Sequence, residues 1–268
     1  MLKKYHIKYS KKRVHTAKTI ISLIVMSLVI SCTSQSQGNP LLRPDSHTRP
    51  IQTHTVSSTS LANLDDDVSQ WGIFQDRGSA ITTIDNVSKP STDGLSLKTS
   101  LLGGQPFAGA HVYRNLAPAN TAKAFEMHLS FYFTSLDHIQ ALEFTLNKWS
   151  GNQRWEWALQ WERIGDGTPQ QGNPPTWRLW TGKSWQDSGV RQSLTANTWH
   201  TLSLKGDSMN GQVHYISFTC DTIPAQLRQT FSPVSSPGEK LAVAVQLDGD
   251  SQEEPYTLYI DQVTLDWS

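Results

Sequence analysis

Residues Ala141–Trp185 read ALEFTLNKWSGNQRWEWALQWERIGDGTPQQGNPPTWRLWTGKSW, and they hold seven of the chain's ten tryptophans. Three segments inside this stretch alternate with period two: Ala141–Asn147, Arg154–Arg163 and Thr176–Thr181. In an extended chain successive side chains point to opposite faces, so period two marks a half-buried strand. Leu142, Phe144 and Leu146 then share one face, and Ala141, Glu143, Thr145 and Asn147 the other. On the second segment Trp155, Trp157, Leu159 and Trp161 oppose Arg154, Glu156, Ala158, Gln160 and Glu162. Most of these tryptophans are therefore expected in a core. Trp177 and Trp180 differ in parity, so at least one should be more exposed. Trp149 and Trp185 flank the turns Ser150-Gly151-Asn152 and Thr181-Gly182-Lys183.

Outward from this stretch the same pattern continues. Ser69–Gln75, Ala80–Ile84, Leu95–Leu101 and Ala108–Asn115 are candidate strands. Ala124–Thr134 alternates clearly, with Phe125, Met127, Leu129, Phe131 and Phe133 on one face. Thr198–Lys205 and Val213–Asp221 flank Asn210-Gly211, a favoured hairpin turn pair. Lys240–Leu247 and Thr257–Trp267 complete the series, and Trp199 and Trp267 are expected in the core. Roughly eleven short strands with almost no helical period predict an all-β chain, a single antiparallel β-sandwich. No internal repeat or second apolar block calls for another domain.

The N-terminus differs from the rest. Residues 1–18 carry seven basic residues and no acid, and an apolar run follows from Thr19 to Ile30. That run is shorter than the ~20 residues that cross a bilayer, and it suits the hydrophobic region of an export signal. It ends in Val29-Ile30-Ser31-Cys32, which resembles a bacterial lipobox. The resemblance implies cleavage before Cys32, a thioether lipid on its sulfur, and a protein anchored to the cell membrane on its extracytoplasmic face. The expected organisation is a signal at 1–31, a tether at 32–60 and the β-sandwich at 61–268. Residues Thr33–Ser60 are rich in Ser, Thr, Gln, Pro and His and cannot bury enough apolar surface to offset their ordering entropy. As a coil the tether would reach ~30 Å.

Composition narrows the function classes. The full chain balances 23 Lys+Arg against 23 Asp+Glu. Without the signal, 16 basic residues face 23 acidic ones, a net of −7. An acidic domain does not suit the phosphate backbone, so no nucleic-acid partner is expected. With Cys32 in the lipobox, Cys220 is left without an intramolecular partner and reads as a small buried apolar residue. His111, His128, His200 and His214 fall singly on strands, without metal-binding spacing, and His47 and His54 lie in the tether. The oxygen-rich stretches Asp65-Asp66-Asp67 and Asp248/Asp250 are the candidates for a structural Ca²⁺, but neither has EF-hand spacing. No cofactor is expected. Asp261, in mid-strand, is expected to pair with a backbone or basic group.

The order DGLSLKTSLLGGQPFAGAHVYRNL, QALEFTLNKW, ANTWHTLSL, VHYISFT and VQLDGDSQEEPYTLYIDQVTLDW resembles bacterial secreted proteins of the concanavalin A-like lectin/glucanase type. The terminal YIDQVTLDW also resembles the last strand of jelly-roll carbohydrate-binding modules. The resemblance spans Ser69–Trp267 and implies a jelly-roll sandwich, a fold that hosts lectins, hydrolases and lyases alike.

Parity places the candidate site. If the central strands share one sheet, its open face carries Glu143, Glu156, Gln160, Gln246 and Asp248. Carboxylates and amides bind sugar hydroxyls, and flat rings stack on the apolar faces of pyranoses. Glu143, Gln160, Gln246, Asp248, Trp149, Trp180 and Trp185 are therefore the candidate ligand-binding residues. A lipid-anchored protein that binds a polysaccharide or cell-wall glycan is the first expectation.

A glycoside hydrolase or lyase is the second. Glu143 resembles the nucleophile position of family-twelve endoglucanases. Its partner would be Asp248 or Glu156 by face, or Glu253 or Glu254 by position in a loop. Hydrolysis needs two carboxyls ~5–5.5 Å apart for retention or ~6.5–9.5 Å for inversion. The ExDxxE arrangement of laminarinase-type enzymes and the basic and tyrosine signatures of alginate lyases are absent. A surface adhesion or structural protein without a sugar ligand is the third.

Overall fold

The computed structural model describes residues 58–164, 174–252 and 254–268. The expected signal, Cys32, the tether as far as residue 57 with His47 and His54, and Glu253 lie outside the described residues. Seventeen strands are seen among the described residues. They are β1 (Thr59–Leu61), β2 (Trp71–Arg77), β3 (Ile81–Val87), β4 (Ser96–Leu102), β5 (Gly109–Leu116) and β6 (Ala124–Phe133). Then come β7 (Ile139–Ser150), β8 (Gln153–Glu162), β9 (Thr176–Trp180), β10 (Trp185–Arg191), β11 (His200–Asp207) and β12 (Val213–Cys220). The chain closes with β13 (Ile223–Gln226), β14 (Thr230–Phe231), β15 (Val234–Ser235), β16 (Lys240–Gly249) and β17 (Tyr256–Trp267).

The strands form two antiparallel sheets. One runs β10-β9-β8-β7-β16-β5-β2, and the other β13-β12-β11-β6-β17-β4-β3. This is the expected antiparallel sandwich. Its core lies where the alternating apolar faces meet. Phe131 of one sheet meets Phe144 of the other at 4.9 Å between ring centroids, Phe125 meets Trp157 at 5.2 Å, and Phe218 meets Trp177 at 5.4 Å. Trp157, Trp161 and Trp177 are fully buried, and each indole N–H finds an acceptor: His214 O, Gln192 O and Gln192 Oε1. A buried indole without a partner would lose its hydration uncompensated.

Several elements depart from the sequence reading. The first long strand begins at Trp71 and not at Ser69, because Val68–Gln70 forms a 3-10 turn whose cap, Asp67, accepts from Ser69 N at 3.1 Å. Trp199, expected in the core, faces outward and packs on Tyr132 at 5.4 Å, while His200, Leu202 and Leu204 take the inward positions. Trp267 is half-buried at the core's margin. β10 and the short β13–β15 were not anticipated; they lie at sheet margins, where few apolar side chains are needed. Cys220 is fully enclosed, and burial pushes its thiol up to about 12, as suits a small apolar residue.

Two buried aspartates, Asp65 and Asp261, lie near each other beside β17. Asp65 Oδ1 accepts from Val263 N at 2.8 Å. Asp261 accepts from Thr92 N at 2.6 Å and from Thr92 Oγ1 at 2.8 Å, the backbone partnership expected for it. Both aspartates are fully buried. Burial raises the Asp65 carboxyl from 3.8 to about 6, opposed by the Val263 hydrogen bond and assisted by the charge of Asp261. The folded protein therefore holds this proton to higher pH than the unfolded chain does. The stabilisation is complete below pH 4 and is lost as pH rises through about 6, an effect of about 2–3 kcal/mol. Asp65→Asn keeps the acceptor for Val263 and removes the ionisation. Urea midpoints should show the variant gaining about 2 kcal/mol over the native protein at pH 7 and nothing near pH 4. An equal gain at both pH values would disprove the titration.

Candidate functional site

The outer face of the β10–β2 sheet carries a groove of about 480 Å³, lined by side chains from all seven strands of that path. Its shape follows from side-chain length. Ala141, Thr145 and Ala158 are short and form the floor, while Phe74 lies towards one end and Trp180 and Trp185 towards the other. The walls shelter polar groups that an ordinary outer face would expose: Glu143, Gln160 and Gln246 are each under 8% exposed.

Strand register brings the central residues together. Glu143 on β7 lies opposite Gln160 on β8 and Gln246 on β16. Gln160 Nε2 donates to Glu143 Oε1 at 2.8 Å, and Gln246 Nε2 donates to Asp248 Oδ1 at 2.8 Å. Arg77, from the far edge of the sheet, reaches the same Asp248 oxygen at 3.4 Å. Two further ion pairs stand in the groove: Arg154 with Glu156 at 2.9 Å, and Arg178 with Glu162.

Burial sets the protonation of the central carboxyls. It pushes Glu143 well above the usual carboxylate range, and the charge of Asp248 adds to the effect. Asp248 is also raised by burial, but the Gln246 hydrogen bond and the Arg77 charge both favour its ionised form. Burial and the neighbouring Asp248 charge therefore favour the protonated form of Glu143, while Gln246 and Arg77 favour the ionised form of Asp248. Glu156 is raised by burial, offset by Arg154 and by a hydrogen bond from Trp180. His111, opposite Gln246 in register, is lowered by burial and is neutral.

This geometry bears on each residue singled out by sequence. Glu143, Gln160 and Gln246 lie together in the groove, and Asp248 lies just beneath it at 1% exposure. Trp180 and Trp185 are directly opposed on β9 and β10, with ring centroids 5.2 Å apart, and both are partly exposed. Trp149 stands apart. It borders an adjoining hollow of about 350 Å³, with Lys240 Nζ 4.5 Å and the Arg154 guanidinium 5.7 Å from its ring centroid. Burial that favours the neutral carboxyl of Glu143 is an environment suited to a proton donor.

Sequence reasoning overlooked part of the groove. Arg154, Glu162 and Arg178 were legible by parity, since they alternate with half-buried Trp155 and with buried Trp161 and Trp177, but charged residues on a wet face drew no attention. Phe74, Asp76, Arg77 and His111 had no local signal, because they reach the groove only through the pairing of β2 with β5 and of β5 with β16. Among the described residues no cluster of three or more His, Cys, Asp or Glu could hold a metal ion. Asp248 is engaged as above, and Asp250 accepts from Gln252 N at 2.8 Å and lies 3.8 Å from His138.

No protein-family model matches the chain, and no curated protein matches it. Among solved structures it is similar to an endo-β-1,4-glucuronan lyase from the fungus Trichoderma reesei, at 11% identity over 76% of this chain and 94% of that one, with a TM-score of 0.49. It is similar to a seed lectin isoform of Lotus tetragonolobus, at 14% identity over 78% of this chain and 99% of that one, with a TM-score of 0.46. It is also similar to a carbohydrate esterase from the Shiga toxin-encoding bacteriophage phi24B, at 18% identity over 79% of this chain and 100% of that one, with a TM-score of 0.46. Each likeness is one of fold, and the architecture itself is read from the two sheets and their register.

Proposed function

We propose that this protein is an extracytoplasmic carbohydrate-binding protein, held at the membrane through a lipid on Cys32, whose groove takes an extended stretch of a polysaccharide or cell-wall glycan. The observation that carries this reading is the groove itself. It crosses seven strands, offers amides and carboxyls on its floor, and ends at the paired rings of Trp180 and Trp185. Gln140 and Gln160 both line the groove, and their enclosed Oε1 atoms have no hydrogen-bond partner among the described residues. Affinity electrophoresis of the detergent-solubilised full-length protein over a panel of polysaccharides tests it. Retardation by at least one glycan is expected, and free migration through all of them would refute it. The anchor is tested separately: Cys32→Ala should leave the protein soluble where the native chain partitions into detergent.

Cleavage is the competing reading, supported by the burial that raises the Glu143 carboxyl on the groove floor. The central carboxyls are each held by side chains of the same chain, Glu143 by Gln160 and Asp248 by Gln246 and Arg77, which favours binding without turnover. No reducing ends or unsaturated products are therefore expected from a glycan that binds. Product formation that is lost in Glu143→Gln would reverse this order and make Glu143 a catalytic residue.

A further inference from the structure

We infer that the groove selects uncharged glycans and rejects chains of uronic acids; this rests on the groove being a glycan site at all. The reason lies in how its charges are already spent. Three guanidinium groups line it, and each faces a carboxylate of the same chain: Arg77 with Asp248, Arg154 with Glu156, and Arg178 with Glu162. Recognition of a uronate asks for an unshared guanidinium or ammonium, because only a free fork can take a carboxylate in bidentate fashion. At Arg154 and Arg178, which are largely sheltered, a uronate would have to displace an internal carboxylate and leave that charge unpaired. Lys240 sits in the adjoining hollow beside Trp149, beyond this groove.

The surplus is negative. Asp76 stands exposed at the groove's edge as a further carboxylate, and its charge is felt by Glu143, Asp248 and His111. His111 is held neutral and supplies no compensating cation. A polyanion laid along this floor would meet like charge and no open partner. A neutral hexose chain meets what hydroxyls need: carboxylate and amide acceptors, amide donors and flat rings.

The test compares matched chains that differ only in charge. A glucuronan and a galacturonan are run beside their carboxyl-reduced forms, with the full-length protein in affinity electrophoresis at low salt. At least tenfold tighter retention by the reduced, neutral member of a pair is expected. Equal or tighter retention by the uronate form overturns the inference while leaving glycan binding intact. Migration unaffected by these pairs and by a broader neutral panel overturns both. Glu156→Gln keeps the side chain's size and frees Arg154. It should raise uronate retention several-fold, and an unchanged uronate response would show that internal pairing is not what excludes the acid.

Discussion

Trp157→Ala should cost about 4 kcal/mol of folding stability, the largest single effect expected in this protein. Trp157 lies on β8 with no exposed surface, packs on Phe125 across the sandwich, and donates its indole N–H to His214 O at 3.1 Å. Gly206 opposite has no side chain because the ring fills that space; a Cβ there would lie 2.5 Å from it. Truncation removes the transfer energy of a large ring, leaves a cavity that rigid strands cannot close, and strands a carbonyl. Against a total of ~5–15 kcal/mol this is a large fraction. At ~2–4 °C per kcal/mol for a domain of this size, Tm should fall by about 8–16 °C. A change under 1 kcal/mol in equilibrium urea unfolding would mean that the ring is not a core residue.

The double variant Trp180→Ala, Trp185→Ala should behave in the opposite way. These two rings close one end of the groove, partly exposed and tilted against each other with centroids 5.2 Å apart. Neither belongs to the buried core, so the sandwich should lose at most about 1 kcal/mol. Glycan affinity should fall by about 2 kcal/mol, roughly thirtyfold in Kd, as expected when aromatic anchors of a binding site are truncated. Titration calorimetry with the best-retained glycan reads the affinity, and near-ultraviolet circular dichroism reads the fold. Unchanged affinity in a folded variant would move the binding surface away from this groove.

These two outcomes rest on tryptophans only a few residues apart in register, and parity alone separates them in part. Trp157 and Trp161 alternate with Glu156, Gln160 and Glu162, so the sequence already assigns rings to the core and polar groups to the other side. Trp199 shows where parity fails. Its segment, TWHTLSLK, also alternates, but the inward set is His200, Leu202 and Leu204, with His200 held by Asp221 at 2.8 Å and by Thr195. A satisfied histidine can occupy a core position, and hydrophobicity by itself does not reveal that.

The candidate site was legible as a set of faces but not as a site. Glu143, Gln160, Gln246 and Asp248 were picked out because each lies opposite an apolar partner on its own strand. What they do together depends on neighbours that no local pattern specifies. β16 enters the sheet between β7 and β5, so Gln246 and Asp248 meet Glu143 across about a hundred residues of chain. β2 brings Arg77 to Asp248 from still farther away. That meeting sets the charge of Asp248 beside Glu143 and pairs Arg77 with a carboxylate of the same chain.

The sequence by itself determined the class of fold and the two sides of each central strand. The pleat is a local property, and its period of two is written residue by residue. The tertiary structure alone decided the sheet order, the groove between short floor residues and long walls, and the pairing of every charge within it. Those depend on which strands become neighbours, and that is settled by the packing of the whole core rather than by any one segment.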